Sequence, residues 1–145
     1  MLLNHTAIYG LRAMATLAVL APGESINGID LAERTGVPRQ YLAKVMRKLV
    51  LAKLVRSQRG RGGGFSLARA PRSIRLADVL TATDVDLDRG CAFGFSACDP
   101  HNPCPLHPLW SRLQDSLLAW TGDSTLGDLG PPPTSPRRRP GMGFG

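Results

Sequence analysis

Apolar residues recur along this chain first with a helical period, then with a period of two, then with a helical period again. From His5 to Leu20, Ile8, Leu11, Ala15 and Ala18 mark one face, with Met14 and Leu17 widening it; Asn4 or Thr6 stands where a cap belongs. Pro22-Gly-Glu-Ser closes that helix. A short second helix, Gly28 to Arg34, has Asn27 as its cap, Ile29, Leu31 and Ala32 as apolar positions, and Gly36 ending it. Pro38 suits the first position of a third helix, where no backbone donor is needed. In that helix Leu42, Val45, Met46 and Leu49 fall at i, i+3, i+4 and i+7 and share a buried face. Gln40, Ala43, Lys44 and Arg47 fall on the opposite face, which carries no acid.

The period then drops to two. Leu54-Val-Arg-Ser and Gly64-Phe-Ser-Leu-Ala alternate like half-buried strands, and Gln58-Arg-Gly-Arg-Gly-Gly-Gly between them suits a hairpin tip. Two short helices joined by a tight glycine-containing turn, the second basic on its outer face, predict a helix-turn-helix. The basic hairpin adds a wing. A recognition helix of this kind fits the major groove of double-stranded DNA, and a slim basic tip enters or flanks the minor groove.

Beyond the wing, Pro71 to Arg75 leads into a helix with Ser73 as its expected cap and Ile74, Leu76, Val79 and Leu80 apolar. Asp84 to Pro105 has no clean periodicity, and a structureless stretch of that length points to a function. Helical spacing returns from Leu109 to Trp120, where Trp110, Leu113, Leu117 and Trp120 form an a/d seam. Pairing with a second copy is favoured, because two linked recognition helices read two half-sites of a palindromic operator. Packing on the chain's own domain is the competing expectation. Thr125-Leu-Gly-Asp-Leu adds one turn, and the Pro/Gly-rich tail from Gly130 is expected to be disordered.

The predicted fold is therefore mainly α with a small β-hairpin wing: a winged helix-turn-helix plus a long dimerisation helix. Its expected divisions are a DNA-binding domain (1–83), a cysteine-containing loop (84–107), the dimerisation helix (108–129) and a basic tail (130–145).

Length and charge sharpen this reading. At 145 residues, one cored domain with a short extension is expected. No apolar run reaches membrane-spanning length and no leader pattern stands at Met1, so a cytoplasmic protein without membrane contact is expected. The net charge of +7 is unevenly placed: residues 1–75 hold 13 basic and 3 acidic side chains, residues 76–136 hold 2 and 8, and Arg137–Arg139 add three more cations. A basic front half suits a polyanion. No nucleophile–base pair is evident, and the glycines at 62–64 lack the spacing and following helix of a nucleotide-binding loop, so an enzyme is not expected.

The unpatterned loop holds all three cysteines. With His107 they read Cys91-x6-Cys98-x5-Cys104-x2-His107, a set of thiolates and an imidazole able to ligate an iron–sulfur cluster. Zinc is the inorganic competitor, although no C-x2-C knuckle is present; a thiol switch is a third reading. A protein-interaction adaptor that no longer reads DNA is the alternative of another class.

Several stretches carry a family resemblance: Ala7-Ile-Tyr-Gly-Leu-Arg-Ala-Met, Ile29-Asp-Leu-Ala-Glu-Arg-Thr-Gly-Val-Pro, Arg59-Gly-Arg-Gly-Gly-Gly-Phe-Ser-Leu-Ala and Cys104-Pro-Leu-His-Pro-Leu-Trp. Over nearly its full length, to about Leu129, the chain resembles the IscR/NsrR-type bacterial winged-helix transcriptional regulators, which respond through iron–sulfur clusters. The resemblance implies a homodimeric regulator, read here as a repressor, whose operator affinity depends on a cluster. It places Arg39, Gln40 and Lys44 at base- and phosphate-contacting positions, Arg59 and Arg61 at the wing tip, and Cys91, Cys98, Cys104 and His107 around the cluster. The histidine stands as in the [2Fe–2S] members. Ile8 stands where the nitric-oxide-sensing branch has an acid that reaches a [4Fe–4S] cluster across the dimer, so [2Fe–2S] is favoured over [4Fe–4S]. Ala43 replaces a glutamate that tunes sequence choice in some members, so an operator does not transfer. The first cysteine gap is six residues where five is common in the [2Fe–2S] type.

Overall fold

A computed structural model describes residues 3–86, 99 and 101–130 of the chain. Helix α1 (His5–Ala18) starts at Asn4, whose side-chain oxygen accepts from the Ala7 N–H at 2.7 Å. It stops at Ala18 rather than Leu20, because Val19 leaves helical dihedrals and the Leu20 N–H turns back to the Leu17 carbonyl. Helix α2 (Gly28–Thr35) is capped by Asn27, which accepts from the Asp30 N–H at 2.9 Å. It ends at Gly36, left-handed at φ 68°, whose N–H donates to the Ala32 carbonyl.

Helix α3 (Arg39–Leu51) opens one residue later than expected. Pro38 has an extended ψ of 135° and so lies just outside, while its carbonyl accepts from the Leu42 N–H and begins the ladder. Leu42, Val45, Met46 and Leu49 are all buried, as their spacing predicts. Lys53 turns left-handed after the helix, and the Leu54 N–H reaches back to the Leu49 carbonyl at 3.0 Å.

Strands β1 (Val55–Gln58) and β2 (Gly64–Leu67) pair antiparallel, with Val55 opposite Leu67 and Gln58 opposite Gly64. Periodicity did not show what they lean on. Ile26 pairs with Phe65 through bonds of 3.0 and 2.7 Å in the two directions, so the segment before α2 meets the hairpin edge in a single antiparallel bridge. Gly64 makes that approach feasible: its φ is 147°, and a Cβ there would sit 2.4 Å from the Ile26 carbonyl oxygen.

A 3-10 turn (Pro71–Ser73) leads to α4 (Leu76–Ala82). Ser73 does not cap α4: its hydroxyl donates to the Ala70 carbonyl within the turn. The helix begins after Arg75, whose N–H donates to the Asp78 carboxylate at 2.9 Å. α1 packs against both α3 and α4. Gly10 permits the close approach, since a Cβ there would meet the Thr83 methyl at 2.8 Å.

Helix α5 (His107–Asp123) differs from the others: Thr121 is its buried residue, while Leu109, Leu113 and Trp120 are 68%, 44% and 49% exposed. Its C-terminal end is stitched to the body by the Leu76 N–H to the Ser124 carbonyl (3.0 Å) and the Leu126 N–H to the Ile74 carbonyl (2.9 Å). A final 3-10 turn, Leu126–Asp128, drops Leu126 into the core. The predicted fold class, mainly α with a two-stranded wing, is the one observed. None of the described helices is long and apolar enough to cross a membrane.

Candidate nucleic-acid interface

α3 displays the residues expected of a recognition helix. With one side locked into the core, Arg39, Gln40, Ala43, Lys44 and Arg47 are all exposed. Among the described residues, none of these cations forms an ion pair. A polar amide, a methyl group and three free cations therefore stand on a rigid cylinder of the diameter the major groove admits.

The wing exposes two more cations. Arg59 and Arg61 are exposed at the tip between β1 and β2. Two bonds hold the tip: the Gly63 N–H donates to the Gly60 carbonyl at 3.0 Å, and the Ser25 hydroxyl donates to the Gly62 carbonyl at 2.9 Å. The Ser25 tether links positions 37 apart and left no trace in the periodicity. Together with the Ile26–Phe65 pairing, it fixes the wing to the segment that runs into α2.

An aromatic group joins α1 to α3. The rings of Tyr9 and Tyr41 lie 6.3 Å apart, His5 meets Tyr9 edge-on at 5.9 Å, and the Arg12 guanidinium sits 5.9 Å from the Tyr9 ring centre. His5 is exposed at the start of α1 and meets Tyr9, while Asn4 does the capping. Tyr41 beside Gln40, an exposed aromatic on a basic helix, was the available signal for this group.

Of the four candidate cluster ligands, Cys91 and Cys98 lie outside the described residues, as does the tail beyond Gly130. Cys104 and His107 are described, and both are half-buried. They share one turn at the start of α5, where the His107 N–H donates to the Cys104 carbonyl at 3.0 Å. Among the described residues no three His, Cys, Asp or Glu side chains gather into a metal-holding group. The loop begins at Asp84, a non-glycine residue at φ 62° whose carboxylate pairs with the Lys48 ammonium of α3. α3 is thus tied directly to the residue from which the cysteine-containing stretch departs.

Comparison with known proteins agrees with this architecture. Residues 3–131 match the family model Rrf2, described as an iron-dependent transcriptional regulator. Rv1287 of Mycobacterium tuberculosis H37Rv, named as an HTH-type transcriptional regulator, is 35% identical over 130 residues, covering 89% of this chain and 81% of that protein. The HTH-type transcriptional regulator IscR of Escherichia coli is 32% identical over 129 residues, covering 89% of this chain and 80% of that one. Among solved structures, the global cysteine regulator CymR of B. subtilis superposes with a TM-score of 0.75 at 23% identity, covering 87% of this chain and 93% of that chain. IscR of T. potens superposes with a TM-score of 0.68 at 26% identity, covering 87% and 83%.

Proposed function

The chain belongs to the Rrf2 family of transcriptional regulators, and on that premise we propose that it reads a palindromic operator in double-stranded DNA as a homodimer. It is a regulator of transcription, not an enzyme. One α3 would enter each major groove and each wing would meet the flanking minor groove. The observation that carries this reading is the acid-free outer face of α3, exposed in full, on a chain whose wing tip exposes Arg59 and Arg61. In it, Gln40 supplies the donor and acceptor that read a base edge, and the Ala43 methyl suits a thymine methyl. Arg39, Lys44, Arg47, Arg59 and Arg61 neutralise phosphates or enter grooves. The dimer would form along α5, where Leu113 and Trp120 are among the exposed apolar side chains.

The same reading places control in the loop. Cys91, Cys98, Cys104 and His107 would hold an iron–sulfur cluster, [2Fe–2S] in preference to [4Fe–4S], with zinc as the alternative occupant. The chemistry of the donors fits such a group: a thiol and an imidazole stand three residues apart in the turn that leads into α5. When bound, the group supplies an iron- and redox-sensitive crosslink of the loop. The Lys48–Asp84 pair then ties the loop's departure point to α3, so that the order of the loop biases the recognition helix. A coupling of this kind is worth about 1–3 kcal/mol. The likeness to CymR bears on fold alone, and it leaves a thiol switch as the second reading, with the loop unmetallated.

Anaerobic isolation tests the control. Brown protein with visible absorbance and bound iron is the expected result, and its DNA affinity should change when the iron is chelated. Colourless protein holding one zinc would replace the cluster by a staple. Equal affinity for every duplex with and without bound iron would contradict cluster control.

A further inference from the structure

We propose that Ser25 is a positioning residue for DNA binding: its hydroxyl holds the wing tip in the shape that presents Arg59 and Arg61. The inference rests on the reading of the wing as a DNA contact.

The tip is poorly suited to keep a shape by itself. Gly60, Gly62, Gly63 and Gly64 run through it, with φ of 94°, 73° and 147° at Gly60, Gly62 and Gly64. Glycine loses more backbone freedom on ordering than any other residue, so a tip of this composition resists being fixed. What fixes it is one peptide plane. The Gly62 carbonyl accepts from the Ser25 hydroxyl at 2.9 Å, and the N–H of the same plane, on Gly63, donates to the Gly60 carbonyl at 3.0 Å. The plane is thus held from outside the hairpin on one side and from within it on the other. It lies one residue beyond Arg61, so holding it restrains the backbone that carries that guanidinium. The packing of the tip is tight as well: a Cβ at Gly63 would sit 2.5 Å from the Gln58 carbonyl oxygen.

Ser25 is in turn firmly supported. Its neighbour Ile26 is buried and exchanges bonds of 3.0 and 2.7 Å with Phe65. On the other side, the Glu24 N–H donates to the Ala21 carbonyl at 2.9 Å, and the Glu24 carboxylate accepts from the Ala21 N–H at 2.8 Å. Ser25 is half-buried and uncharged, so its part in binding is indirect. A tip already ordered in the free protein does not lose that freedom when Arg59 and Arg61 meet DNA. Without the hydroxyl the same contacts form at a larger ordering cost. Affinity then falls while the number of phosphates neutralised stays the same.

The test is binding of the full-length protein to a mixed-sequence DNA duplex, followed by fluorescence anisotropy over a range of salt. The temperature is one at which circular dichroism shows every variant folded. The variants are Ser25→Ala, Ser25→Thr, Arg59→Gln with Arg61→Gln, and that pair combined with Ser25→Ala. Ser25→Ala should weaken binding about two- to tenfold, the worth of one hydrogen bond, and leave the slope of log affinity against log salt unchanged. Ser25→Thr keeps the hydroxyl and should bind like the parent. The arginine pair should lower the slope by about two units, and adding Ser25→Ala to it should cost nothing further. Parental affinity in Ser25→Ala, an equal loss in Ser25→Thr, or the same loss of affinity with and without the two arginines would each overturn the inference and leave the wing reading standing. If the arginine pair itself binds with the parent's affinity and slope, the wing reading fails and the inference falls with it.

Discussion

The body of the molecule, residues 3–86, and α5 solve the problem of an amphipathic helix in opposite ways. In the body, α1, α3 and α4 each turn an apolar face inward, and Met14, Met46, Leu49, Val79 and Leu80 are almost wholly sealed. α5 is the longest described helix at 17 residues, yet Thr121 is its buried side chain. Its C-terminal end is fastened to the body through Ser124 and Leu126, and the apolar positions ahead of that fastening face outward. Helices in water owe most of their stability to packing of an apolar face, so an uncovered seam asks for a second surface. The contrast separates two jobs. The body encloses its core and presents α3 and the wing, whereas α5 leaves an apolar seam exposed, which on the proposed reading pairs with another copy.

The sharpest way to break that contrast is to remove apolar volume from each region. Leu49→Ala should cost about 2–5 kcal/mol, because the site is fully enclosed and collapses poorly. Urea unfolding should show that loss at every protein concentration. Leu113→Ala should instead act through association, so its effect on the unfolding midpoint should vary with protein concentration and vanish at dilutions where the parent is monomeric. Equal, concentration-independent losses in the two variants would mean that α5 belongs to the body's own core.

A smaller effect sharpens the packing side. Gly10→Ala drives a Cβ into the Thr83 methyl at 2.8 Å and should cost roughly 1–3 kcal/mol. Thr83→Ser deletes that methyl and keeps the hydroxyl that donates to the Val79 carbonyl at 2.9 Å. The double variant should therefore recover most of the loss, read as a coupling in a double-mutant cycle.

The smallest effect concerns the fastening after α5. The Thr125 N–H and hydroxyl, then the nearby Arg72, hold the Asp128 carboxyl below its ordinary value. A depressed carboxyl stabilises the fold above its unfolded pKa, and that contribution fades as pH falls through the lower folded value. Asp128→Asn should therefore lower stability slightly at neutral pH and converge with the parent at acid pH, which flattens the acid side of the profile. A profile identical to the parent's would remove Asp128 from the fastening.

The same two regions differ in how far the sequence disclosed them. Helix faces were legible because they rest on local periodicity: Leu42, Val45, Met46 and Leu49 are buried as their spacing requires, and Asn4 and Asn27 cap as their residue types favour. Ser73 misled because serine favours caps in general, while here the acid at Asp78 satisfies the Arg75 N–H and sets the start of α4. The contacts that orient the interface were hidden. Ile26 with Phe65, Ser25 with Gly62, Lys48 with Asp84 and Tyr9 with Tyr41 join residues far apart in the chain, mostly through backbone groups or single polar atoms that obey no period. The seam of α5 was legible as a pattern, but nothing in a pattern says whether it faces inward or outward. Cys104 and His107 share a turn as their spacing implies; Cys91 and Cys98 rest on spacing and resemblance alone.

The account's central claim is that α3 and the wing form one phosphate-neutralising, groove-reading surface. Its most direct test is the salt dependence of DNA binding for the parent and for the combined Lys44→Ala, Arg47→Ala and Arg59→Ala variant. The account predicts a large loss of affinity and a slope shallower by roughly three units, one for each phosphate contact removed. An unchanged affinity and slope, with the variant still folded, would contradict it.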